Sequence, residues 1–89
     1  MKRIHLIISG RVQGVGFRYF CLEQAERLGI TGHAQNRSDG SVEVEAQGTE
    51  EKLEQFAAAV SIGPRQARIT NIEREDGMAL STENEFHIH

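Results

Sequence analysis

The sequence predicts an α+β sandwich, one antiparallel sheet with two helices on one of its faces. Three observations carry this. Two stretches with apolar residues at helical spacing are flanked by stretches of period-two alternation. The elements run strand, helix, strand, strand, helix, strand, with a short extra strand at the C-terminus. The 89 residues suit a single domain, 1–89, with a modest core.

In the first strand Ile4, Leu6 and Ile8 alternate with His5, Ile7 and Ser9. The mixed second set suits a central strand, covered on one face and partly on the other. Tyr19 to Leu28 reads as a helix, with Phe17, Phe20, Cys21, Ala25 and Leu28 as its apolar stripe and Gly29 as its C-terminal stop. Ile30 to Asn36 is a weak second strand, and Arg37-Ser38-Asp39-Gly40 is a turn. Ser41 to Gln47 alternates cleanly, Val42, Val44 and Ala46 against Glu43, Glu45 and Gln47, so strands two and three form a hairpin with the glutamates on its solvated side.

Thr49 caps the second helix, with Glu50 and Glu51 in its first turn and Leu53, Phe56, Ala57 and Val60 as its buried stripe. Gly63-Pro64 ends it. Ala67 to Glu75 is the fourth strand. The three-residue step from Ile69 to Ile72 breaks alternation and predicts a β-bulge. Gly77 to Asn84 reads as polar loop, and Phe86 and Ile88 alternate with His87 and His89 in the terminal strand. Two βαβ halves in this order give the ferredoxin-like sandwich (βαββαβ), a fold that hosts many functions and chooses none.

Composition narrows the classes. A net charge of −3 argues against a general nucleic-acid binder, though Arg11, Arg18 and Arg37 could converge in a local basic pocket. A single cysteine, Cys21, excludes an intrachain disulfide, and its place on the helix stripe reads as a buried thiol. The start of the chain is too polar for a signal peptide and no stretch reaches transmembrane length, so a cytoplasmic protein without membrane contact is expected. His87 and His89 share a strand face, but with no third ligand in view no metal is assigned.

The segment Gly10-Arg11-Val12-Gln13-Gly14-Val15-Gly16-Phe17-Arg18 joins the first strand to the first helix. A glycine-rich strand-to-helix turn points successive N–H groups into a concavity that binds anions. Arg18, at the start of the helix, opposes the macrodipole, which would prefer an acid there, and the first acid is Glu23. A rule broken at one helix start and kept at the other marks a site for a phosphate-like anion held by N–H groups and a guanidinium. No Lys-Ser or Lys-Thr follows the last glycine, as a nucleotide-binding loop would require.

This segment resembles the signature loop of the acylphosphatase family. Gly32-His33-Ala34-Gln35-Asn36, followed by Asp39-Gly40-Ser41-Val42-Glu43, resembles that family's second signature, and length and element order are similar over essentially the whole chain. The resemblance implies an enzyme that hydrolyses the carboxyl-phosphate bond of acyl phosphates with no metal and no cofactor. It implies that Arg18 binds phosphate, that Asn36 positions the attacking water, and that Gln13, Gly14, Val15, Gly16 and Phe17 form the backbone cradle. Its partners are then small acyl phosphates, with inorganic phosphate or sulfate as product or mimic, and the protein is a monomer. The family usually carries an aromatic residue where His33 stands and often a basic one at Gln35; Arg37 adds a charge expected to tighten phosphate binding. The ending Phe86-His87-Ile88-His89 lies far from both signatures in sequence.

The chemistry agrees with these residues. An acyl phosphate is a mixed anhydride with a good leaving group, so phosphoryl transfer needs positioning and charge stabilisation. Asn36 does not titrate, but its amide both donates and accepts hydrogen bonds and can orient a water. Two alternatives stand beside this reading: a non-catalytic anion-binding module, which would need Arg18 and not Asn36, and an RNA-binding sheet, which Glu43, Glu45 and the negative charge disfavour.

Overall fold

Burial along the first strand decides what sits at the centre of the sheet. β1 (Lys2–Arg11) buries Ile4, Leu6 and Ile8 on one side and leaves His5 and Ile7 half-buried on the other. It is longer than the apolar run Ile4–Ser9 because it pairs along its length with strands on both sides. The computed structural model describes residues 1–80 and 83–89.

The remaining elements are α1 (Phe17–Leu28), β2 (Thr31–Asn36), β3 (Val42–Gly48), α2 (Glu50–Ile62), β4 (Arg68–Gly77) and β5 (Phe86–Ile88). The strand order is β4-β1-β3-β2-β5. β1 runs antiparallel to β3 and β4, and β2 and β3 form the expected hairpin with Asn36 opposite Val42. β5 pairs parallel to β2, with Gly32 opposite Phe86, so the sheet is mixed and not antiparallel throughout. The final strand enters as an outer addition beside β2, outside the two βαβ halves whose order implied antiparallel pairing.

Both helices lie on the face that carries Ile4, Leu6, Ile8, Val42, Val44 and Ala46, and they pack against each other. α1 contributes Phe17, Cys21, Ala25 and Leu28, with Phe20 partly buried. α2 contributes Leu53, Phe56, Ala57 and Val60, and the Thr49 hydroxyl accepts from the Lys52 amide at 3.3 Å. Burial pushes the Cys21 thiol up to about 12, so it stays protonated and behaves as a small hydrophobe.

The irregular step in β4 is a bulge. Ser9 faces Asn71 and Gly10 faces Ile69, so Thr70 has no partner on β1 and Ile69 and Ile72 both reach the core. Gly10 makes this approach possible. Its φ is 122°, and a Cβ there would lie 2.1 Å from the Arg68 carbonyl oxygen.

The face away from the helices is less solvated than the alternation of β3 suggests. Glu43 accepts from Gln35 and sits 2.6 Å from His5 Nε2, while Arg3 binds Glu45 at 2.9 Å and Glu83 at 2.7 Å. The side chains of Glu43 and Glu45 are only 25% and 24% exposed, so they are partners in a network and not a free surface. The Gln47 amide pairs with the main chain of Leu80, and Arg3 holds Glu83, so both residues lie against that face. Gly77 ends β4 where loop was expected, and positions 81 and 82 of that expected loop lie outside the described residues.

Candidate active site

The turn from β1 into α1 holds two glycines in the left-handed region, Gly14 at φ 75° and Gly16 at φ 78°, with Val15 between them at negative φ. Nothing lies within 4 Å of a Cβ built on either glycine, so the conformation and not the space demands glycine. Alternation of backbone hand turns consecutive N–H groups toward one side, which is the geometry of an anion nest. The loop feeds directly into α1, whose N-cap is Gly16, with no side chain capping the first turn and no acid in it. Those leading N–H groups lack intrahelical acceptors and remain available to a ligand.

α1 starts at Phe17, where its apolar stripe begins and two residues before the expected start at Tyr19, and Arg18 is its second residue. Its Nη1 donates to the main-chain oxygen of His89. β5, far away in sequence, is therefore adjacent in space: Ile88 lines the same cavity as Arg18, and His89 anchors the guanidinium. Alternation in Phe86–His89 revealed a strand but carried no signal of which sheet edge it would join.

Asn36 is the last residue of β2 and shares a face with Gly32 and Ala34, the side on which α1 packs. The cavity it reaches, about 220 Å³, is lined by Val12, Gly14, Gly16, Phe17, Arg18, Tyr19, Asn36 and Ile88. Both signature segments thus meet at one place. Tyr19, 61% exposed, stands at its mouth.

Gln13 does not line the cavity. Its Nε2 donates to the carbonyl oxygens of Arg37 at 2.7 Å and Ser41 at 3.0 Å, tying the glycine loop to the turn that follows Asn36. That turn is closed on itself. The Arg37 amide donates to the Ser41 carbonyl, and Asp39 Oδ1 accepts from both the amide and the hydroxyl of Ser41. These bonds hold the Asp39 carboxyl below the usual carboxylate range. Loop and turn are in this way braced against each other by one side-chain amide.

The three arginines considered together do not converge. Arg18 lines the cavity, but Arg11 lies in a different one, and the Arg37 side chain is exposed and lines neither. Arg11 ends β1 and its cross-strand partner is Arg68 of β4, which flanks β1 on the side opposite β3 and β2. His33 faces His89 with ring centroids 5.4 Å apart, and His87 stacks on His89 at 6.5 Å. Among the described residues no three His, Cys, Asp or Glu side chains are placed to hold a metal ion.

Comparison with known proteins places this geometry. The acylphosphatase family's sequence model matches residues 4–88. The chain is 42% identical over 88 residues to the acylphosphatase of Geobacillus kaustophilus, covering 99% of this chain and 94% of that one. It is 50% identical over 72 residues to that of Caldanaerobacter subterraneus, covering 81% and 80%. The crystal structure of acylphosphatase from Bacillus subtilis superposes with a TM-score of 0.95 at 38% identity, covering 100% of this chain and 99% of that one. With the family matched from end to end and the fold shared, the chain belongs to the acylphosphatase family.

Proposed function

We propose that the chain hydrolyses small acyl phosphates in the cavity between the glycine loop and the end of β2, through Arg18 and Asn36. The observation that carries this is the meeting of these two residues, from separate elements, on one cavity floored by Gly14 and Gly16. The loop amides of Gln13 to Phe17 and the Arg18 guanidinium hold the phosphoryl oxygens, where negative charge accumulates in the transition state. Asn36 accepts a hydrogen bond from a water and aims its oxygen at phosphorus, opposite the carboxylate.

The bond from phosphorus to the acyl oxygen breaks as the bond from water to phosphorus forms. The carboxylate departs with the bonding pair, and the water's proton passes to a phosphate oxygen. No side chain near Asn36 needs to act as a base, because the leaving carboxylate is stable and the nucleophile is positioned. On this reading the reaction uses no metal or cofactor, inorganic phosphate or sulfate occupies the same cradle as product or mimic, and the protein acts as a cytoplasmic monomer. No described helix is long and apolar enough to cross a membrane.

The test is hydrolysis of benzoyl phosphate, followed by loss of ultraviolet absorbance, with and without EDTA, for the wild-type protein and Asn36→Ala. Turnover that survives chelation and is lost in Asn36→Ala, with inorganic phosphate binding retained in that variant by direct titration, is the expected result. Equal loss of phosphate binding and rate would make Asn36 a ligand or a structural residue and remove its role with water.

A further inference from the structure

Beside the glycine loop, on the side away from Asn36, lies a second cavity of about 500 Å³ lined by Arg11, Arg65, Gln66, Ala67 and Arg68. Three arginines line it. The other arginines tied into the fold have partners: Arg3 is bound to Glu45 and Glu83, and Arg74 to Glu54 and Asp76. Among the described residues Arg11, Arg65 and Arg68 make no ion pair and no side-chain hydrogen bond, although the chain carries 13 acids against 10 Lys and Arg. Arg11 and Arg68 are moreover direct cross-strand partners, an arrangement that like charges disfavour. Concentrating unpaired cations in one concavity raises the local potential for an anion.

The scaffold under this cluster is firm. Arg65 and Gln66 lie in a turn closed by the Ala67 amide donating to the Pro64 carbonyl oxygen at 3.0 Å. Gly63 at its start packs on the Phe17 ring, which lines the first cavity. Arg11 is followed directly by Val12, which also lines the first cavity. The two cavities are therefore neighbours across one strand end, with Arg18 in one and three arginines in the other.

We infer that Arg11, Arg65 and Arg68 form a second anion site, distinct from the phosphate cradle, that takes a compact oxyanion, a phosphate or carboxylate group. Two sources offer that chemistry: a distal anionic group on the acyl substrate itself, or a separate small anion. The first source rests on the acyl phosphate reading above; the site does not.

The test titrates isotope-labelled wild-type protein with inorganic pyrophosphate at low ionic strength, where exposed charges are least screened, and follows the backbone amides by NMR. The expected result is saturable shifts at Arg11 and Arg65 to Arg68 that disappear in the doubly substituted R65Q/R68Q protein, while shifts at Gly14 to Phe17 persist. Shifts at Arg65 to Arg68 that do not saturate, or that survive R65Q/R68Q, would overturn the site. Comparing kcat/KM for 4-carboxybenzoyl phosphate and benzoyl phosphate separates the sources. A ratio that falls about tenfold in R65Q/R68Q assigns the site to the substrate's distal group. An unchanged ratio alongside saturable pyrophosphate binding assigns it to a separate anion. Failure of the acyl phosphate reading is distinguishable, since it shows as no turnover of benzoyl phosphate, whatever Arg65 to Arg68 do.

Discussion

Arg18→Gln separates the two jobs that Arg18 holds. One N–H of its guanidinium is committed to the main-chain oxygen of His89, and Arg18 lines the cavity together with Asn36. The exposed tether of β5 is given up at a cost in folding stability of at most about 1 kcal/mol, because the glutamine amide is too short to reach that oxygen. The amide carries no charge and no fork, so the stabilisation of the phosphoryl oxygens is lost. A preorganised donor of this kind is worth about 3–4 kcal/mol in the transition state, a fall in kcat/KM of about 10²–10³. Benzoyl phosphate hydrolysis measures the first quantity and urea unfolding the second. With a urea m-value of about 1 kcal/mol/M for a domain of this size, the midpoint should move by no more than about 1 M. Turnover within about threefold of wild type would refute the reasoning. So would a rate loss accompanied by a collapse in stability, because Arg18 would then be a structural clamp on β5.

Gln13→Leu removes both bonds between the loop and the turn, while the Ser41 carbonyl keeps the Arg37 amide and the Arg37 carbonyl keeps the Gly40 amide; we expect a loss of about 1–2 kcal/mol in urea unfolding, with a raised KM for benzoyl phosphate. A KM at the wild-type value would show that the brace does not position the loop. Gly10→Ala forces a Cβ into the Arg68 carbonyl at φ 122° and should cost about 2–4 kcal/mol, read as a lower unfolding midpoint; an unchanged midpoint would contradict the close approach. The hydrogen bond from His5, followed by that from Gln35, holds the Glu43 carboxyl below its ordinary 4.5. A carboxylate whose folded value is depressed contributes stability above its unfolded value, and that contribution is lost as pH falls through the folded one. The stability gap between wild type and Glu43→Gln should therefore be full at neutral pH and shrink below 4.5. A gap that stays constant into acid would mean the contact is not charge-assisted.

The parts of this molecule that were legible beforehand are those where a local rule has one physical meaning. The Leu53, Phe56, Ala57, Val60 spacing can only be a helix stripe, and all four are buried. The step from Ile69 to Ile72 can reach one face only through a bulge, and Thr70 is the residue left over. Gly14 and Gly16 in a strand-to-helix turn pointed to a concavity of N–H groups, and both adopt the left-handed backbone that such a nest uses. What stayed hidden depended on partners far away in sequence. Three residues of β5 do not specify an edge or a direction, so neither its parallel pairing with β2 nor the hold of His89 on Arg18 could be read. The second task of Gln13 was hidden as well, because nothing local shows that its side-chain amide reaches the turn beyond Asn36. The three arginines 11, 18 and 37 looked like one pocket, yet the pairing of Arg11 with Arg68 sends it elsewhere.

The two borders of the sheet are β4 and β5, and each is a poor template for a passing strand. β5 offers only three residues of ladder. β4 is ten residues long, but Glu73-Arg74-Glu75-Asp76 places charge on both of its faces. A chain adding there would have to bring its own side chains against an unbroken run of ions. Among the described residues no strand pairs beyond either border, and what resists edge-to-edge aggregation is brevity on one side and charge on the other.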